Sequence, residues 1–426
     1  MHERDVVTVF LREGAEVLLL RRSDAVGSYP GRWGGVAGHV EDSPEASARR
    51  EIREETGMTD AAVSLVRSGE PFEVVDEEAA IAWTVHPFLF DARTRAVRTN
   101  WETAAAVWVH PTAILHRETV PELWTSYDRV RPRLTTVESD SVHGAAYISL
   151  RALEVLRDEA AVRMEAAADS EGPVADRSDD WTALRDLGLR LRDARPGMAV
   201  VANRVNEVMA AAATDGTPPA LYRAAVAGIE RATDADAAAA GVAADLIDGR
   251  AVFTLSRSGT VRAAIERSDP SRVLVAVSEP GGEGREVAAT LADAGEKVTL
   301  TSDANVPAAV EAADVVLVGA DSVLPSGDVV NKVGTRAAML AARAVGTETL
   351  VVCAAAKVRA DDDVELEPGD PTALYDGPAQ FSVSNPIFER TTGELVDGIA
   401  TERGRLDPDD VAAIAAEYAA AAAWPE

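Results

Sequence analysis

Three uninterrupted apolar runs in the C-terminal half restrict the fold most: RVLVAVS at residues 272–278, DVVLVGAD at 314–321 and TLVVCAA at 349–355. A strand with one wet face alternates apolar and polar residues; these runs do not, so both of their faces are expected to be covered. Helix-forming stretches separate them, REVAATLADAG (285–295) among them, and KVTLTS (297–302) reads as a further strand. Alternating buried strands and helices predict a parallel doubly wound sheet from about residue 250, with ligands bound beyond the strand C-termini. Upstream, residues 144–168 form a long Ala-rich helical stretch, and polar residues 169–180 are expected to make an exposed loop between helices.

The first third has a different texture. Residues 5–21 (DVVTVFLREGAEVLLLR) read as a hairpin around a Gly-containing turn, with further strands at 81–90 and 105–110. Between them, residues 43–56 carry the signals of a helix: Ser43 as N-cap, Pro44 at the first position and Gly57 as the stop. The change of texture after RPRLTTVESD (131–140) puts a boundary near residue 138 and gives two domains, 1–137 and 138–426. The second divides into a helical part, 138–249, and the sheet-bearing part, 250–426.

At ~100° per residue, Glu51 and Glu55 stand one helical turn apart with Glu54 beside them, so three carboxylates are expected to converge on one face. Such a cluster repels itself unless it holds a hard cation, Mg²⁺ or Mn²⁺, that can bridge to substrate phosphates. Arg50 can brace a neighbouring carboxylate. An ordinary salt-bridged surface helix is the alternative reading. In the second domain, Asp321 ends an apolar strand, where desolvation would raise its pKa and suit proton transfer; capping the next turn is its plainer role. Asn331 and Lys332 are expected to open a helix after the turn SGD, where backbone N–H groups and an ammonium favour a phosphate. Lys332 is one of only three lysines, with Lys297 and Lys357, and Lys357 is a weaker candidate for the same duty.

Charge excludes some functions. With 71 acidic and 42 basic residues the net charge is −29, which repels nucleic-acid backbones and argues against direct nucleic-acid binding. Acid enrichment with lysine depletion resembles the cytosolic proteins of salt-accumulating halophiles, so a haloarchaeal source is expected. No apolar run approaches the ~18 residues of a membrane span, and MHERDVVTVF has no export pattern, so a cytoplasmic location is expected. The single cysteine, Cys353, excludes a disulfide within the chain and any multi-cysteine metal cluster; its buried-looking strand makes it core.

Arg50, Glu51, Ile52, Glu54, Glu55, Gly57 and Met58 match in order the core of the Nudix box, and residues 4–130 resemble a Nudix hydrolase. The resemblance implies an α/β/α sandwich with a mixed sheet that cleaves a nucleoside diphosphate derivative using Mg²⁺ or Mn²⁺, with Glu51, Glu54 and Glu55 as metal ligands. Upstream the pattern departs: Asp42 takes the acidic position, but Val36 stands where a glycine is expected, and the loop from Gly38 is two residues shorter. Residues 138–426 resemble the family that unites the α, β and δ subunits of translation initiation factor 2B with ribose-1,5-bisphosphate and methylthioribose-1-phosphate isomerases. Segments 141–156, 194–205, 319–335, 384–391 and 401–404 carry that likeness.

It implies a helical subdomain leading into a Rossmann-like sheet, Asp321 as catalytic aspartate, and Asn331 and Lys332 as sugar-phosphate contacts. It also implies a homodimer formed through this domain. Three positions depart from the isomerases: Ser256 replaces a cysteine, His143 an arginine, and Glu279 an arginine before Pro280. The expectation is a Nudix hydrolase fused to a domain that binds a phosphorylated sugar or nucleotide. The alternatives are a regulatory subunit that pairs with a translation initiation factor, and, ranked last, an isomerase using Ser256 and Asp321.

Overall fold

Val6 to Leu11 begin a sheet because alternate residues find apolar cover on opposite sides. In the computed structural model, which describes residues 2–77, 81–140, 142–169, 177–364, 366, 368–378 and 381–424, the chain divides into two units. Met1–Arg133 and Ala161–Glu171 make the first; Leu134–Ala160 and Gly172–Glu426 make the second.

The first unit is built on β1 (His2–Glu13), β2 (Glu16–Arg22), β3 (Trp33–Gly34), β4 (Val36–His39), helix α1 (Pro44–Thr56), β5 (Val63–Ser68), β6 (Phe72–Asp76), β7 (Ile81–Ala92), β8 (Thr103–Val109) and helix α2 (Leu123–Asp128). The strands form one mixed eight-stranded sheet: β1 runs parallel to β7 and antiparallel to β2 and β4. Val7, Val9 and Leu11 join Ala48 and Ile52 of α1 in one core, whereas Phe10 joins Leu123 and Tyr127 of α2 in the other. The period of two along β1 thus fills both faces. Helix α1 starts where the Ser43 hydroxyl accepts from the Ala46 N–H at 3.3 Å, and it stops at Gly57, whose φ of 70° lets its N–H reach the Arg53 carbonyl.

The second unit continues with α3 (Leu134–Ser139), α4 (Ala145–Asp169, whose last residues count with the first unit), α5 (Arg177–Asp193), α6 (Ala199–Ala213), α7 (Pro218–Ile247), β9 (Ala251–Thr254), α8 (Gly259–Arg267), β10 (Arg272–Ala276), α9 (Gly284–Asp293), β11 (Val298–Thr301) and α10 (Val306–Glu311). It closes with β12 (Val315–Gly319), β13 (Ser322–Val323), β14 (Val329–Lys332), α11 (Thr335–Val345), β15 (Glu348–Val352), β16 (Phe388–Thr391), β17 (Gly398–Thr401), β18 (Gly404–Leu406) and α12 (Pro408–Ala421). The main sheet has the order β11-β10-β9-β12-β15-β17-β18, parallel except for the last pair. Every residue of β9, β12 and β17 is buried, the physical reason for their unbroken apolar sequences.

The stretch 169–180 differs from expectation. Helix α4 runs to Asp169 and α5 already begins at Arg177, so both ends are helical; residues 170–176 lie outside the described residues. Among the described residues no helix is long and apolar enough to cross a membrane.

Candidate functional sites

The first candidate site lies where α1 faces β4. Glu55 is buried, and its carboxylate accepts the Ala37 N–H at 3.1 Å. Burial pushes this carboxyl up to about 8; the Ala37 hydrogen bond opposes the rise, and the charges of Glu51 and Glu102 add to it. Burial also raises Glu51, against a 3.4 Å hydrogen bond from Arg50, with Glu54 and Glu102 repelling it. The Glu51 carboxyl lies over Gly38, where a Cβ would come within 2.1 Å of it, so a side chain at that point would push the Glu51 carboxyl out of its place. Arg50 also donates to Glu41 at 2.9 Å and to the His39 carbonyl at 3.2 Å, tying the loop before α1 to the helix. Asp42 and Glu54 are exposed.

The glutamates of α1 lie within electrostatic reach of one another: Glu54 raises Glu51, and Glu51 raises Glu55. Among the described residues, no group of three or more His, Cys, Asp or Glu is placed to hold a metal ion. Glu55 faces Ala37, Glu51 lies over Gly38 and Glu54 is exposed. The donor chemistry suits a hard cation: oxygen ligands, two of them held above their ordinary range by burial. Glu102, just before β8, is an acidic neighbour that sequence reasoning missed, because only the sheet brings it near α1.

The second candidate site collects the loops after β9, β10 and β12. Ser256 sits at φ 60° and its N–H donates to the Ser278 hydroxyl at 2.6 Å; Ser278 sits at φ 64°. Two non-glycine residues in the left-handed region meet here, a local strain that sequence gave no sign of. The adjacent Arg257 guanidinium donates to the Val142 carbonyl, which brings the segment around His143 to this loop. His143 itself is occupied: its Nδ1 lies 2.8 Å from Asp140, and its ring stacks on Tyr147. Asp321 follows β12 and its N–H donates to the Val330 carbonyl at 2.9 Å. Glu279 pairs with Arg285. Lys357, buried, donates to the Ala320 carbonyl, and Cys353 is fully buried, its thiol pushed up to about 12 by that burial.

Asn331 and Lys332 do not open a helix. They end β14, which pairs with β13 across a turn at Gly327 (φ 83°) and with β16 on its other side. The helix starts only at Thr335, after Gly334 turns the chain at φ 104°. The Val-Val-Asn-Lys run gains more from two strand partners than from a helical first turn. Nor is the start of α11 open to an outside anion: Glu389 accepts from the Gly334 N–H at 2.7 Å and the Arg336 N–H at 2.9 Å. Lys332 donates to Glu283 at 2.6 Å, and Asn331 to the Thr335 hydroxyl at 2.9 Å. Sequence reasoning missed Glu283 and Glu389, since the ammonium and the backbone N–H groups they accept from lie far away along the chain.

The model of the initiation factor 2 subunit family matches residues 141–408, more than half of the sequence. The chain belongs to that family. A NUDIX domain matches residues 1–134. A curated ribose 1,5-bisphosphate isomerase of Haloferax volcanii is 29% identical over 317 residues, covering 67% of this chain and 92% of its own. A methylthioribose-1-phosphate isomerase of Xylella fastidiosa is 32% identical over 173 residues, 38% of this chain and about half (49%) of that protein. Among solved structures, a translation initiation factor eIF-2B of Pyrococcus horikoshii OT3 matches with a TM-score of 0.55 at 24% identity, covering 65% of this chain and 97% of its own. A mixed α/β architecture, a NUDIX domain, which suggests a hydrolase, and an isomerase-like initiation factor 2 domain therefore share one chain.

Proposed function

We propose that the NUDIX domain hydrolyses a nucleoside diphosphate derivative, such as a nucleotide sugar of the ADP-ribose type, and that the second domain binds a phosphorylated sugar or nucleotide. The observation that carries the hydrolase is the pair Glu51 and Glu55, packed around Gly38 and Ala37, whose carboxyls burial holds above their ordinary range. Glu51, Glu54 and Glu55 would hold Mg²⁺ or Mn²⁺, which when bound supplies Lewis acidity toward the phosphate oxygens. Glu55 is aimed by the Ala37 N–H, and Arg50 fixes the preceding loop against Glu51. Cleavage of a nucleotide sugar would release a phosphorylated ribose, the class of compound named in the isomerase relatives. The test is release of phosphate products from a panel of nucleoside diphosphate derivatives, with Mg²⁺ or Mn²⁺ at high salt, for wild type and Glu54→Gln. Turnover lost by about a hundredfold or more in the variant supports the hydrolase; no turnover across the panel rules it out in favour of a binding protein.

The names of the relatives favour a second reading, aldose–ketose isomerisation in the C-terminal domain, with Asp321 as proton carrier and Asn331, Lys332 and Ser256 at the substrate. Interconversion of ribose 1,5-bisphosphate that Asp321→Asn abolishes would establish it. A regulatory subunit would instead copurify with a translation initiation factor and show no interconversion. The working state is a homodimer through the C-terminal domain in a salt-rich cytoplasm, and light scattering of the full chain tests the dimer.

A further inference from the structure

Lys332 does not wait for a ligand with its charge open. Its Nζ lies 2.6 Å from Glu283 Oε1, and the lysine is 7% exposed, so this chain's own carboxylate stands where a phosphate would be expected. The second oxygen of the same carboxylate, Oε2, is buried and has no hydrogen-bond partner. Its place is built rather than incidental. Glu283 immediately precedes α9, whose first residue, Gly284, packs so closely on β10 that a Cβ there would lie 1.8 Å from the Ala276 carbonyl oxygen. Gly281 leaves the space for the carboxylate, since a Cβ on it would lie 2.7 Å from the Glu283 carboxyl carbon.

A dianion approaching Lys332 meets this fixed negative charge at contact distance. The start of α11, the other phosphate cradle nearby, is filled by Glu389 in the same manner. We propose that Glu283 determines ligand specificity in the C-terminal domain by keeping phosphate off Lys332, whose ammonium it already neutralises at 2.6 Å. The phosphate of a ligand then lies elsewhere in the domain. This rests on the reading of that domain as a site for phosphorylated sugars.

The test is titration calorimetry of the full chain with inorganic phosphate and, separately, ribose 5-phosphate. Glu283→Gln keeps a side-chain oxygen for Lys332 and removes the charge, so the variant should bind inorganic phosphate about tenfold or more tightly than wild type. Glu283→Ala should show the same gain, and adding Lys332→Met to either should erase it. Phosphate binding unchanged or weakened in both single variants, or a gain that survives Lys332→Met, overturns the role of Glu283. Wild type that binds ribose 5-phosphate, by a margin over inorganic phosphate that narrows in Glu283→Gln, supports it. Failure of wild type to bind ribose 5-phosphate sinks the phosphorylated-sugar reading, whatever the variants do with phosphate.

Discussion

A Cβ at Gly38 would lie 2.1 Å from the Glu51 carboxyl carbon, but that carboxyl is the far end of a flexible side chain and can swing away. Gly38→Ala should therefore cost little stability, within about 1 kcal/mol in denaturant titration, while lowering hydrolysis about 10- to 100-fold by misplacing Glu51. A variant with full activity would show that the position of Glu51 is immaterial. Cys353 gives an independent residue-scale check. Burial pushes its thiol up to about 12, so the thiolate needed for alkylation is scarce at neutral pH. A thiol reagent should label the native protein at least about a hundredfold more slowly than the urea-unfolded chain; rapid native labelling would show that the strand holding Cys353 opens. At this scale the sequence displayed the glutamates of the helix and the lone cysteine, because local spacing and residue type define them. It hid Glu102, Glu283 and Glu389, whose roles depend on what the fold places opposite them.

Short elements show how local preference yields to pairing. Residues 329–332 lie near a helix start, yet they form a strand because β13 and β16 offer backbone partners on both sides, and Gly334 delays the helix. The end of α2 illustrates charge at an element boundary. Burial alone would raise Asp128, but Arg131 at 2.7 Å and Arg133 at 2.7 Å outweigh it and hold the carboxyl below its ordinary value. A lowered folded pKa means stability that is present above the unfolded value of about 3.9 and lost as pH falls through the folded one. Asp128→Asn should accordingly be less stable than wild type at pH 7, with the gap closing in thermal melts below about pH 4. A gap that stays constant down to acid would mean the two arginines contribute nothing through charge.

Across the whole molecule the dominant physical quantity is the net charge of −29. Self-repulsion among 71 acidic residues should be screened as salt rises, because the Debye length falls from ~10 Å at 0.1 M to ~3 Å at 1 M. Raising KCl from 0.1 M to 2 M should stabilise the fold by on the order of 2 kcal/mol, a rise of roughly 4–8 °C in Tm; a flat or falling Tm would remove the reason for the acidic composition. The sequence by itself determined the placing of the buried parallel strands and the capped acidic helix, since side-chain periodicity and caps act within a few residues. Tertiary structure alone decided which charges meet. Lys332 answers Glu283, Glu389 fills the start of α11, and Glu55 and Glu51 of α1 face Ala37 and Gly38. Electrostatic and hydrogen-bond partners are fixed by distance in space, and distance along the chain carries no trace of them.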